Sequence, residues 1–152
     1  MIDYDLNLYN QKDQAELEDL FGKVWNAPFR PEDLHSDLRN MPVTYQVDKG
    51  NFWVMRILGT IIGAVAIKNL GENIAEVKRL AIHPDFRGQR LGSALFQHSL
   101  DCARKKGFKA VRLDSIRNPG PAMHLYEKHG FAEIERYNSN PNANVFMELA
   151  LS

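Results

Sequence analysis

Between Val77 and Phe96 the chain reads VKRLAIHPDFRGQRLGSALF, and the basic, glycine-containing centre of this stretch is suited to hold an anion. Val77 to His83 has the apolar content of a strand, Pro84 ends it, and helical spacing begins at Leu91. A strand–turn–helix of this kind leaves main-chain N–H groups unpaired at the helix N-terminus, where the helix dipole favours negative charge. Arg87 and Arg90 add full positive charge to the same turn. The chemistry these residues support is a phosphate cradle for a pyrophosphate-bearing cofactor. A nucleotide-hydrolysing P-loop needs a Lys followed by Ser or Thr at the end of the turn, and Leu91-Gly92-Ser93 stands there instead. The dinucleotide fingerprint needs three glycines and an acidic residue at the next strand's end; only Gly88 and Gly92 are present in the turn.

With both set aside, the segment resembles the acetyl-CoA signature of the GNAT superfamily of N-acetyltransferases, a strand ending in hydrophobics followed by Arg/Gln-x-x-Gly-x-Gly/Ala. Arg87 and Gly92 take the outer positions, and Arg90 stands in the place of the first glycine. Leu125-Tyr126-Glu127-Lys128-His129-Gly130-Phe131 is similar to the family's second signature, LYEKxGF, at a family-like distance downstream. The likeness runs from about Glu76 to Ile134. It implies acetyl-CoA as co-substrate, its phosphates held at Arg87, Gly88, Gln89, Arg90, Leu91, Gly92 and Ser93, chiefly by main-chain N–H groups from Gly88 to Ser93. Asn118 lies near the place where related enzymes carry a cofactor-contacting Asn. Relative to Tyr126 it is one residue early, with Pro119 in that place.

Transfer of an acetyl group from a thioester to a primary amine, by direct attack in a ternary complex, sets three tasks. An ammonium must lose a proton, the thioester carbonyl must be polarised, and the leaving thiolate must be protonated. For the last, Tyr126 matches the family tyrosine that sits by the sulfur; a phenol has a reference pKa near 10 and donates without a standing charge. The alternative for Tyr126 is an ordinary core residue on an amphipathic helix. Carbonyl polarisation falls to the main chain at Leu80, Ala81 and Ile82, where family members resemble one another in having a strand bulge. Glu76 is similar in position to a general-base Glu of some protein-acetylating members. It alternates with Lys78 and Leu80, which puts the three on one strand face. A solvated carboxylate paired with Lys78 or Arg79 is the competing reading, and Asp114 or a water chain is the substitute base. A non-catalytic acyl-CoA-binding sensor or interaction module of the same fold is the alternative to an enzyme.

These residues need an α/β scaffold, an α+β mixed sheet in which an antiparallel meander is followed by β-α-β-α-β, and the resemblance implies the GNAT-like acyl-CoA N-acyltransferase fold. The predicted elements are a strand at 2–9, a helix capped by Asp13 with Leu17, Leu20, Phe21 and Val24 on one stripe, and a short helix from Pro31 through Leu38. Strands follow at 52–58 and 61–70, joined at Gly59-Thr60, then a strand at 74–83 after Gly71-Glu72-Asn73. A helix from Leu91 ends in Arg104-Lys105-Lys106 before Gly107, and a strand at 108–114, a helix at 121–129 and strands at 131–137 and 145–151 close the chain. The acceptor would lie between the first two helices, which carry Glu16, Glu18, Asp19, Glu32, Asp33 and Asp37, and the polar loop from Asn138 to Asn144.

Composition narrows the class further. At 152 residues and 44% hydrophobic content, the chain is expected to form one domain, 1–152, with a real core. Lys and Arg total 19 against 19 Asp and Glu, a balance that does not favour nucleic acid or an anionic membrane as partner. The expected partner is a small-molecule amine or peptide acceptor, with a homodimer left open. One cysteine, Cys102, precludes an internal disulfide and lies on an apolar helical stripe as a small core residue. His35, His83, His98, His124 and His129 lack ligand spacing, so no metal is expected. No apolar run reaches membrane-span length and the first residues are not a signal peptide, so the expected location is cytoplasmic.

Overall fold

A single mixed sheet with helices on both faces carries the chain in the computed structural model, which describes residues 2–24, 36–46, 49–117 and 121–151. The strands are β1 (Asp5–Leu8), β2 (Asn51–Ile57), β3 (Thr60–Gly71), β4 (Ile74–Ile82), β5 (Ala110–Ser115), β6 (Ala132–Ile134) and β7 (Val145–Ala150). The helices are α1 (Gln14–Val24), α2 (Ser36–Arg39), α3 (Met41–Thr44), α4 (Leu91–Lys105) and α5 (Pro121–Lys128). Sheet order is β1-β2-β3-β4-β5-β7-β6, with β4 and β5 parallel and every other pairing antiparallel. The expected fold class is therefore present, with β7 inserted between β5 and β6.

Local physics accounts for where elements start and stop, and for three of the expected boundaries that move; β1 also shortens from 2–9 to Asp5–Leu8 and β5 shifts from 108–114 to Ala110–Ser115. The cap of the first helical segment is Asn10, not Asp13. Asn10 accepts from the Lys12 amide while Asp13 accepts from the Asn10 amide, a reciprocal box opening a 3₁₀ turn at Gln11–Asp13 that runs into α1. The β2–β3 hairpin turns at Leu58-Gly59, both at positive φ (50° and 83°), so Thr60 already pairs with Ile57. Such primed turns match the right-handed twist of the flanking strands. The strand expected at 131–137 shortens to Ala132–Ile134, because beyond Ile134 the chain peels off the sheet toward β4. Of the predicted second helix, residues 31–35 lie outside those described.

The sheet separates two apolar layers. On one face α4 and α5 bury Leu95, Phe96 and Leu100 against Met55, Val65, Ile67, Val77 and Val111. On the other, Leu17, Leu20 and Phe21 of α1 join Leu38, Met41 and Tyr45 over Phe52, Val54, Ala64 and Ala66. Gly63 lets α4 approach closely. A Cβ there would stand 2.8 Å from Leu95 Cδ1 and 2.9 Å from Ile82 Cδ1, inside contact distance.

Two departures from regular pairing make the site. β4 and β5 pair only over Ile74, Ala75 and Glu76, opposite Ala110, Val111 and Arg112, and beyond Glu76 they splay. On its other edge β4 bulges: Ala64 faces Ala81 and Ala66 faces Lys78, so Val65 of β3 opposes both Arg79 and Leu80. Arg79 has φ +57°. The extra residue reverses which face each later side chain takes, as any one-residue slip must. Ala75 and Val77 belong to the α4 layer before the bulge, and Leu80 and Ile82 belong to it afterwards. The expected shared face of Glu76, Lys78 and Leu80 is corrected accordingly: Leu80 points with the α4 layer, and Glu76 and Lys78 point away from it.

Candidate active site

The cradle forms where β4 delivers the chain to α4. His83 caps a 3₁₀ turn at Pro84–Phe86, its Nδ1 accepting from the Asp85 amide at 3.0 Å. Arg87, Gly88, Gln89 and Arg90 follow as an exposed turn. Arg90 is the residue before α4 and has φ +63°, so the position occupied by glycine in the family pattern keeps a glycine-like backbone here while bearing a cationic side chain. Among the described residues, the amides of Gly88 through Ser93 donate to no main-chain or side-chain acceptor, and the first amide of α4 to find a carbonyl is that of Ala94, bonded to Arg90 at 3.1 Å. That row of free donors at a helix start is what a polyanionic phosphate requires. Leu91 is buried and anchors the turn to the core. At Gly92 a Cβ would meet only Ile82 Cγ1, at 3.6 Å, so nothing in the protein core demands glycine there.

The splay between β4 and β5 opens a cleft of about 500 Å³ that passes through the sheet. Val77, Leu80, Leu113 and Tyr126 line its α4 side; Lys78, Asp114, Asn140 and Asn142 line the opposite side. Tyr126 on α5 packs against Phe96 at 5.5 Å and Phe131 at 6.5 Å between ring centroids. Burial pushes its phenol above the usual value of 10, a hydrogen bond with Ser115 pulls the other way, and the Asp114 charge adds to the rise. The net effect keeps the proton on Tyr126 through neutral pH.

Glu76 does not share the cleft that Tyr126 lines. It borders an adjoining recess of about 450 Å³ with Leu70, Arg112, Tyr137, Asn138 and Ser139, and Lys68, Lys78, Asp114 and Asn140 border both spaces. The solvated alternative for Glu76 is not what the structure contains: the residue is 2% exposed. Tyr137 donates to its Oε2 at 2.5 Å, and Lys78 Nζ stands 3.5 Å from Oε1. Lys78 reaches Asp114 Oδ1 at 3.0 Å as well, so one ammonium joins two carboxylates.

Asp114 is held as an anion. Burial alone would raise its pKa, but hydrogen bonds from Asn138 at 2.7 Å, the charge and donors of Lys78, and Asn140 bring it below the usual carboxylate value. A carboxyl lowered on folding contributes stability above its unfolded pKa, near 3.9, and loses that contribution as pH falls through the folded pKa. Asp114→Asn should therefore be less stable than wild type at pH 7, with the gap narrowing as pH drops from about 5 toward 2. Urea unfolding at a series of pH values checks it; a gap constant with pH would refute the assignment.

Three contributors were not legible in spacing. Tyr137 was expected as the end of a strand, and its role follows from the chain leaving the sheet after Ile134. Lys78 as the bridge between Glu76 and Asp114 depends on β5 lying alongside β4. Of the two partners the competing reading offers Glu76, Lys78 or Arg79, Lys78 is the one beside it, and Arg79 makes a two-pronged pair with Asp37, Nε to Oδ2 at 2.8 Å and Nη2 to Oδ1 at 2.6 Å, with Tyr45 donating to Oδ2 at 2.5 Å. Asn138 and Asn140 of the NSNPNAN segment both reach Asp114. Of the acidic helical residues, Asp37 is engaged by Arg79 and Glu16 accepts from the Ile61 amide; Glu32 and Asp33 lie outside the described residues, as does Asn118.

Residues 14–131 match the family model described as Acetyltransferase (GNAT) family. The chain belongs to the GNAT acetyltransferase family. This GNAT chain is 36% identical over 96 residues to an uncharacterised N-acetyltransferase of Schizosaccharomyces pombe, covering 62% of the chain and 59% of the relative. It is 32% identical over 103 residues to the N-acetylaspartate synthetase of Mus musculus, covering 66% of the chain and 34% of the relative. It thus spans less than two thirds of either relative's length. In fold it is similar to an acetyltransferase of the GNAT family from Staphylococcus aureus, at TM-score 0.87 and 20% identity over 99% of this chain and 100% of that one. The PaiA N-acetyltransferase of Thermoplasma acidophilum, solved in complex with coenzyme A, has TM-score 0.76 and 19% identity over 99% and 100% of the two chains. Among the described residues no cluster of His, Cys, Asp and Glu is arranged to hold a metal ion, and no helix is long and apolar enough to cross a membrane.

Proposed function

We propose that this GNAT chain is an acetyl-CoA-dependent N-acetyltransferase that passes the acetyl group to a primary amine by direct attack in a ternary complex, with residues 1–152 acting as one domain. The observation that carries this reading is the row of partnerless amides from Gly88 to Ser93, set at the end of the strand whose splay opens the Tyr126 cleft. Those donors and the flanking Arg87 and Arg90 suit a pyrophosphate, and Gly92 leaves the approach to them bare. Acetyl-CoA, when bound, supplies a thioester whose acetyl group moves to the amine nitrogen as the thiol departs.

The chain's own residues divide the proton work. Tyr126 keeps a proton at Oη beside the α4 side of the cleft, available to the departing sulfur. The main chain from Leu80 to Ile82 follows the bulge and lies beyond the last β5 pairing, so it suits the role of carbonyl polariser. Glu76 accepts the ammonium proton through a water reaching past Lys78, since the two line adjoining spaces rather than one. The acceptor enters from the face bearing Lys68, Asn138 and Asn140. A relative named N-acetylaspartate synthetase makes amino acids part of the acceptor panel, beside polyamines, small amines and peptide N-termini. The lone Cys102 fits a reducing cytoplasmic setting.

Acetyl-CoA at about a hundred times its Kd should stabilise the protein by roughly 2.7 kcal/mol, and thiol release should appear with at least one amine class. Gly92→Val should abolish the stabilisation while leaving the unliganded Tm close to wild type, because its Cβ has room and its branches cover the amides. Absence of any thermal shift at millimolar acetyl-CoA would remove the reading. A shift without thiol release across the panel would support the acyl-CoA sensor instead.

A further inference from the structure

Arg79 occupies a conformation that its own chemistry disfavours. At φ +57° its Cβ crowds the following carbonyl, and residues other than glycine reach this region at a cost in free energy. It sits at the bulge, where the register of β3 sets the single residue Val65 opposite both Arg79 and Leu80, and β5 pairing has already ended at Glu76. The side chain is gripped from the next layer. Asp37 of α2 takes both guanidinium prongs, and Tyr45, which closes α3, donates to the same carboxylate. Tyr45 is itself buried and rests on Phe52 of β2, ring centroids 5.4 Å apart. A bidentate Arg–carboxylate pair fixes direction as well as distance. Asp37, Tyr45 and Arg79 all line the cleft that Leu80 and Tyr126 line.

We infer that Asp37, Arg79 and Tyr45 form a positioning clamp that holds the β4 bulge in its left-handed form and so keeps the main chain at Leu80 to Ile82 turned to the cleft for acyl transfer. The inference rests on the acyltransferase reading above. It gives α2 and α3 a task besides covering the sheet: they set the geometry of the strand running to the cofactor cradle. The clamp orients Arg79 by its side chain, but what it delivers is a backbone angle, and this separates it from a role in binding acceptor. Glycine reaches φ +57° with no side chain to grip, whereas alanine lacks the grip and keeps the Cβ penalty.

The test compares Arg79→Gly with Arg79→Ala, adding Asp37→Asn and the double variant Asp37→Asn/Arg79→Gly. Arg79→Ala and Asp37→Asn should lower kcat roughly tenfold, the factor corresponding to the left-handed penalty. The Kd for acetyl-CoA and the KM for acceptor should stay within about twofold of wild type. Arg79→Gly should stay within about threefold of wild-type kcat, and adding it to Asp37→Asn should restore most of the loss. In the unliganded protein, the ¹³Cα shift at position 79 should report the left-handed form in wild type and Arg79→Gly and move toward strand values in Arg79→Ala and Asp37→Asn. Equal kcat for the Gly and Ala variants, or a change confined to acceptor KM, overturns the clamp. If Asp37→Asn does not fold, the Gly and Ala pair decides alone. A wild type that shows the expected shift pattern but neither binds acetyl-CoA nor releases thiol would strike the enzymatic reading and leave the clamp's geometry standing.

Discussion

Tyr126→Phe should lower kcat about a hundredfold, with acetyl-CoA affinity and Tm little changed. The expectation follows from what the substitution removes and what it keeps. The ring's contacts with Phe96 and Phe131 are carbon contacts that phenylalanine reproduces. The lost atom is the phenolic oxygen, which burial keeps protonated and which lies on the α4 side of the cleft. A departing thiolate then has only water as proton donor. Because the loss is confined to bond breaking, kcat and kcat/KM should fall by the same factor. Pre-steady-state thiol release compared with thermal unfolding separates chemistry from packing. An unchanged kcat would reduce Tyr126 to a packing residue.

Glu76→Gln should also cost about a hundredfold, but with a dependence on pH that identifies the proton step. Glutamine keeps an oxygen to accept from Tyr137 and loses only the ionic contact with Lys78, which retains Asp114. Structure should therefore survive while the ability to take a proton does not. The deficit should be greatest at low pH, where the acceptor is an ammonium, and should close as pH approaches the amine's own pKa. A pH-independent loss would make Glu76 an orienting group. The base would then have to be sought elsewhere, and Asp114 is poorly suited, since Asn138 and Lys78 hold its carboxyl below the ordinary value.

Much of the scaffold was legible from residues alone, because it depends on local rules. Gly71-Glu72-Asn73 marked a turn, and the structure has Glu72 and Asn73 at positive φ between β3 and β4. The basic end of α4 before Gly107 was equally local, and so was the cradle, a contiguous segment whose free amides follow from any strand–turn–helix. The tyrosine at 126 was marked by a contiguous motif. All of these lie within a few residues of the signal that announces them.

What the sequence could not determine is everything set by pairing between distant segments. Alternation placed Glu76, Lys78 and Leu80 on one face, and the bulge at Arg79 overturned that because it arises from β3 register, not from β4's own composition. The burial of Glu76 comes from Tyr137, distant in sequence and brought over by a strand that ends early. The cleft itself exists because β4 and β5 pair over Ile74 to Glu76 and then part, a property of two strands' relative twist that neither carries alone. Residue types and short-range order therefore determined the fold class and the row of free amides ahead of α4. Where Tyr126, Glu76 and the main chain from Leu80 to Ile82 stand about the two adjoining spaces was decided only when long-range pairing fixed which face of the sheet each side chain would take.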